Sequence, residues 1–144
     1  MAQQTYSNHR RLTLGFHGIL FLIIVLTFIG SLVNLFTHLG DHSALYGAAL
    51  LVAVNVALLL IFYYMRSFPL KAQDRAIRAE EALRHYILTG KPIDPRLSIR
   101  QIVGLRFAAD DEFAELAQRA VAENLGEGDI KKAIRNWRPD TYRV

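Results

Sequence analysis

Arg11 and Asp41 bracket 29 consecutive residues without an Asp, Glu, Lys or Arg, and Asp41 and Arg66 bracket another 24. A helix needs about 20 apolar residues to cross the hydrocarbon core of a bilayer. Both runs meet that length, and only the short polar hinge His38-Leu39-Gly40-Asp41-His42-Ser43 separates them. In lipid the backbone must satisfy its own hydrogen bonds, which restricts two such runs to helix. The expectation is an all-α membrane protein: a two-helix transmembrane hairpin followed by a small helical cytoplasmic domain. The boundaries are a flank over 1–13, a hairpin over 14–65 with helices at about 14–39 and 44–65, and a tail over 66–144. Arg10-Arg11 ahead of the first run fits the basic start of a signal peptide. The run is longer than a signal core of about 7–15 residues and lacks small residues at a cleavage site, so it reads as an uncleaved anchor.

Basic residues near membrane ends set orientation. Arg10 and Arg11 precede the first helix, and Arg66, Lys71, Arg75 and Arg78 follow the second. The hinge carries no Lys or Arg and one acid, Asp41. Both termini are therefore expected on the cytoplasmic side, with little but the hinge exposed outside. The tail holds 15 of the 17 basic and 12 of the 13 acidic groups, a surplus of three positive charges. That is an ordinary mixed-charge surface rather than a nucleic-acid arm. There is no cysteine, which excludes disulfides, thiolate metal sites and a cysteine nucleophile.

Within the tail, Ala72, Ala76, Ala79, Leu83 and Tyr86 recur at steps of three and four and predict a helix over about 70–88. Ser67 and Pro69 predict a bend ahead of it, because the residue before proline avoids helical dihedrals. Gly90 stops that helix, and Pro92 and Pro95 keep the next stretch extended. Ser98 with Gln101 reads as a capping box opening a short helix. Asp110 is placed as the cap of a helix whose apolar face is Phe113, Leu116, Ala117, Ala120 and Val121. Asp129 is placed as the cap of a last helix carrying Ile130, Ala133, Ile134 and Trp137, ended by Pro139. No segment alternates like a strand. A domain this small is marginal alone, so support from the membrane surface, a partner or another copy is expected.

Thr27, Ser31, Asn34 and His38 share one face of the first helix, and Asn55 sits at a similar depth in the second. These residues either pack the hairpin, with the Asn55 amide reaching a hydroxyl across the interface, or line a path in an oligomer. Packing is preferred, because no carboxylate or lysine lies within the runs. His17 and His38 are about 30 Å apart along one helix at 1.5 Å per residue, too far to share a haem iron. His38, Asp41 and His42 could hold a divalent cation only if the helix continued through Gly40. Arg66, Lys71, Arg75 and Arg78 are the positive-inside signal and candidate contacts for anionic headgroups. The last helix, with Lys131, Lys132, Arg135 and Arg138 beside its apolar side, docks on the tail core, lies in the membrane interface or meets nucleic-acid phosphate. Gly126-Glu127-Gly128 lacks a preceding strand and P-loop spacing, and reads as a turn. No Gly-x-Ser-x-Gly elbow, His-Glu-x-x-His or paired-Asp site is present.

Four blocks carry a resemblance: Ala2 to Arg11, Gln73-Asp74-Arg75-Ala76-Ile77-Arg78, Leu105-Arg106-Phe107-Ala108, and Ile130 to Asp140. They are similar to a bacterial family of small two-helix membrane proteins catalogued as a domain of unknown function. The resemblance implies a multi-pass protein of the bacterial inner membrane and supplies no activity, catalytic residue or cofactor. The functional expectation is thus a non-enzymatic accessory or scaffold subunit with no catalytic, metal or cofactor site. Its partners are membrane lipids and a partner membrane complex or further copies of itself. Contact is assigned to Arg106, Phe107, Arg135, Trp137 and Arg138. The alternatives are a homo-oligomeric channel lined by Thr27, Ser31, Asn34 and Asn55, and a membrane tether for nucleic acid, which the charge balance disfavours.

Overall fold

A computed structural model describes residues 4–8 and 12–140. Its regular elements are helices: a π-type stretch Leu14–Leu20, then α1 (Phe21–Thr37), α2 (His42–Thr89), α3 (Ile99–Leu105), α4 (Asp110–Ala122) and α5 (Glu127–Ala133). Leu14–Thr37 and His42–Thr89 are both long and apolar enough to cross a membrane. Among the described residues there is no strand, only an isolated antiparallel bridge between Ala108 and Trp137. The chain divides into two compact units, Arg11–Phe68 and Met1–Arg10 with Pro69–Val144.

In the first unit, α1 ends at Thr37, two residues short of the expected end. The His38 side chain turns back, and its Nδ1 donates to Asn34 O at 2.8 Å. Asp41 then opens α2: its Oδ1 accepts from the backbone N–H and hydroxyl of Ser43 at 2.9 and 2.6 Å. These bonds, the Ser43 hydroxyl foremost, hold the Asp41 carboxyl below its ordinary pKa. The two helices pair antiparallel. Ile24 and Ser31 of α1 and Ala48 and Asn55 of α2 are buried, each pair seven residues apart. A seven-residue repeat is the seam of two helices wound together. The numbering sets Ile24 level with Asn55 and Ser31 level with Ala48. Phe16 stacks on Phe62 at 4.5 Å near the open end of the hairpin, close to the same register. Large apolar side chains stand open outside this seam: Leu22, Ile23, Leu26, Ile29, Val33 and Phe36 of α1 and Leu50, Leu51, Val54, Leu58 and Ile61 of α2 are exposed.

No break in the helix falls at Ser67 and Pro69. α2 passes through Pro69 as one helix and includes the segment expected as a separate helix, so its helical bounds are 42–89 rather than 44–65. Proline removes one N–H and crowds the carbonyl four residues back. Here that carbonyl belongs to Met65, and Met65 and Pro69 both lie on an exposed side. Downstream alanines, glutamates and arginines favour helix strongly enough to carry it on. The helix ends where the sequence places its stop, at Gly90, whose φ of +69° is a left-handed conformation glycine adopts without strain.

The tail core gathers Ile77 of α2, Leu97, Ile102 and Leu105 of α3 and its entry, Phe113, Leu116 and Ala120 of α4, and Ile130 of α5. The capping box forms as expected: Ser98 Oγ accepts from Gln101 N–H, and Gln101 Oε1 accepts from Ser98 N–H at 2.8 Å. Gln101 does more, donating through Nε2 to Ala120 O and Leu125 O at 3.0 Å and so tying α3 to the end of α4. α3 and α5 meet closely because Gly104 has no side chain; a Cβ there would lie 3.2 Å from Glu127 O and Ile130 Cγ2.

Three capping and boundary expectations change. Ala109, not Asp110, is the N-cap of α4, and Asp110 turns its carboxylate to Arg84 instead. Gly126, not Asp129, is the N-cap of α5. α5 also stops at Ala133, and Ile134 is extended. The last stretch therefore runs as extended chain beside Phe107 and Ala108, with Arg138 N–H on Phe107 O at 2.7 Å and Ala109 N–H on Asn136 O at 3.1 Å. Apolar spacing alone cannot separate a helical turn from a short extended segment whose backbone pairs elsewhere.

Candidate interaction surface

The polar residues of the hairpin turn inward on their own helices. Thr27 Oγ1 donates to Ile23 O and Ile24 O, Ser31 Oγ to Phe28 O at 2.7 Å, and Asn55 Nδ2 to Leu51 O at 2.9 Å. The expected bond between the Asn55 amide and a hydroxyl across the interface is not made. Asn55 Oδ1 is buried without a partner. Ser31 and Asn55 therefore lie closed in the seam, while Asn34 gives its carbonyl to the His38 ring. Among the described residues no His, Asp and Glu group could hold a metal ion. His38 and Asp41 are engaged as helix caps rather than gathered with His42.

Four of the residues assigned to contact, Arg106, Phe107, Trp137 and Arg138, gather at the end of the tail, while the Arg135 side chain lies against Glu112 and Glu115. Phe107 is fully buried and its ring is a platform: Trp137 stacks on it at 4.7 Å, and the Arg106 guanidinium lies over it at 4.6 Å. Arg106 also pairs with Asp140 at 3.3 Å, with its Nε buried and unpartnered. Arg135 and Arg138 are the open members, with side chains 75% and 53% exposed. The N-terminal flank joins this cluster. Gln4 Oε1 accepts from Asp140 N–H at 2.8 Å and from Trp137 Nε1 at 3.4 Å, and Gln4 Nε2 donates to Asp140 O at 3.2 Å. Gln4 thus recognises both sides of a backbone segment that lies more than 130 positions away.

Two charged groups, half-buried Arg84 and buried Glu112, organise the tail and were not picked out by sequence reasoning. Arg84 on α2 bridges Glu81 at 2.9 Å, Asp110 at 2.6 Å and Ala108 O at 2.7 Å, and stacks over Phe113 at 4.4 Å. Glu112, 4% exposed, accepts from the backbone N–H groups of Arg135 and Asn136 at 3.1 and 2.9 Å. The available signal was a charged residue on an apolar helix face, as Glu112 beside Phe113 and Leu116; what it binds lies far along the chain.

The basic groups of the last segment are matched by acids: Lys131 with Glu127 at 2.6 Å, Lys132 with Asp129 at 3.8 Å, Arg135 with Glu112 and Glu115, and Arg138 with Glu81. The stripe Lys71, Arg75 and Arg78 is exposed on α2, and Arg66 is half-buried. A cleft of about 410 Å³ opens between His85, the Lys91–Leu97 loop, Ala117 and Val121. The His85 Nδ1 facing it already meets Lys91 O at 2.9 Å. No curated protein and no solved structure matches the chain. A family model described as "Family of unknown function (DUF6526)" matches residues 1–144, and the chain belongs to that family.

Proposed function

We propose that this protein is a membrane-anchored, non-enzymatic accessory or scaffold subunit of a bacterial inner membrane. The hairpin holds it in the bilayer, and the folded tail presents a binding surface in the cytoplasm. One observation carries this reading: the hairpin buries a narrow seam and exposes large apolar side chains on its remaining faces. In water such a surface is untenable, whereas in lipid it is the expected exterior. The basic flanks favour an orientation with both termini inside, and the Gln4 bonds to Trp137 and Asp140 fit an arrangement with both ends of the chain on one side.

The closed seam speaks for packing over a path, since Ser31 and Asn55 face no open lining. The matched charges around Lys131, Lys132 and Arg135 speak against phosphate binding. Contact falls to the exposed Arg135 and Arg138, braced by Arg106, Phe107 and Trp137. Arg66, Lys71, Arg75 and Arg78 are left for lipid headgroups, each worth about 1 kcal/mol when near an anionic surface.

The test uses the absence of cysteine. In spheroplasts, Ser43→Cys should react with a membrane-impermeant maleimide from outside, and Gln118→Cys only after lysis. Labelling of Gln118→Cys in intact cells would refute the orientation. Purification in mild detergent with mass spectrometry should return a stoichiometric partner complex or a defined self-assembly. Conductance in reconstituted bilayers that is lost in Ser31→Leu/Asn55→Leu would replace the scaffold reading by the channel.

A further inference from the structure

Beyond Pro69, α2 carries an apolar face that its own chain leaves uncovered. The helix turns Ile77, Glu81 and His85 into the tail. At about 100° per residue, Ile77 and Glu81 lie about 160° around the helix from Ala79. On that opposite side stand Ala72, Ala76, Ala79, Leu83 and Tyr86, all exposed, with Leu83 at 61% and Tyr86 at 56%. This is the stripe whose periodicity predicts a helix, and it does not face the tail core. Steps of four, three, four and three are the a and d positions of a two-stranded coiled coil. The alanines permit close approach at one end, and Leu83 and Tyr86 supply larger knobs at the other.

The flanking charges specify the occupant. With Ala76 and Leu83 at a, and Ala72, Ala79 and Tyr86 at d, Arg75 falls at g and Glu80 at e. In a parallel pair, a g residue faces the e residue five positions further along the other strand. Arg75 and Glu80 are opposite in charge and five positions apart, so two copies related by a two-fold axis form the ion pair twice. Among the described residues, neither group has an ion-pair partner within its own chain. An antiparallel pair sets g against g and e against e, and loses the match.

We propose that this face joins two copies of the chain, parallel and side by side, through Ala72, Ala76, Ala79, Leu83 and Tyr86. The inference rests on the membrane-anchor reading in one respect: copies inserted the same way hold their α2 helices parallel, and confinement to one bilayer raises their effective concentration. Arg75 is then engaged by Glu80 of the second copy, while Lys71 and Arg78 stay available to headgroups. The polar groups at the end of the tail remain open to a different partner.

Full-length single-cysteine chains in native membranes test this by oxidative cross-linking. Ala79→Cys should form a like-with-like disulfide dimer, whereas Gln118→Cys, exposed on α4, should give only background. Arg75→Glu should lower the dimer yield several-fold, and Arg75→Glu/Glu80→Arg should restore it. Carbonate extraction of the same membranes reads anchoring separately. A chain that stays in the membrane yet gives no Ala79→Cys dimer overturns the pairing and leaves the anchor standing. A chain released by carbonate overturns the anchor, and the pairing is then judged by the same disulfide in the soluble fraction. Equal cross-linking at Gln118→Cys, preferential linkage of Ala72→Cys to Tyr86→Cys, or failure of the double charge reversal to restore the dimer overturns the parallel pair.

Discussion

Single side chains in the tail act as clasps between segments distant in sequence, and Glu112 is the clearest. Its carboxylate holds two backbone N–H groups of the extended last segment, with Arg135 alongside at 3.5 Å. Glu112→Ala strands both donors in a part-buried place. A loss of about 2–4 kcal/mol in tail stability is expected by urea denaturation, and less for Glu112→Gln. Ser98 and Gln101 were legible as a capping box because the motif is local. Glu112 was not, because its partners lie more than 20 positions on. A second residue-scale effect is electrostatic. The side-chain bond from Arg96 holds the Asp94 carboxyl below its ordinary value of 3.8. A lowered acid pKa stabilises the folded state above the unfolded value and loses that contribution as pH falls through the folded one. In an NMR titration, Arg96→Gln should move the Asp94 midpoint up, with a small effect on stability because both groups are exposed.

At the scale of elements, close approach decides more than propensity. α3 and α5 touch where Gly104 leaves room, and the extra methyl of Gly104→Ala meets a carbonyl oxygen and a buried isoleucine at 3.2 Å. The helices must separate, at a cost of about 1–3 kcal/mol, visible as a lower unfolding midpoint with helicity retained. A midpoint unchanged by the methyl would refute the tight contact. The same scale explains the unbroken helix at Pro69. Pro69 is a strong local signal, but it deletes a single hydrogen bond from a helix of 48 residues whose flanks favour continuation. α5 errs in the other direction. Its apolar spacing extends to Trp137, yet the backbone from Ile134 onward turns to Phe107 and Ala109, so helix gives way to tertiary pairing.

Across the whole molecule, Gln4 meets residues more than 130 positions further along the chain. Gln4 bonds to Trp137 and Asp140, and residues before the hairpin thereby join the tail unit. Gln4→Ala should weaken this closure by about 1 kcal/mol and speed proteolysis of both ends together, leaving α1 and α2 intact. Cleavage confined to one end would refute the clasp.

The sequence by itself determined the two long apolar helices and the hinge between them. Long uncharged runs on either side of a short polar segment are long enough to cross a bilayer as helix, and that length is a property of composition that needs no knowledge of neighbours. It also determined the stops and caps made by residues close together, such as Gly90 and the Ser98–Gln101 pair. Only the tertiary structure decided which faces are covered. It closed Ser31 and Asn55 into a seam, buried Phe107 beneath Trp137, matched the terminal basic groups with acids, and left the Ala72–Tyr86 stripe outside. Periodicity marks a face as apolar. What covers that face depends on contacts between positions far apart in the chain, and no local pattern encodes them.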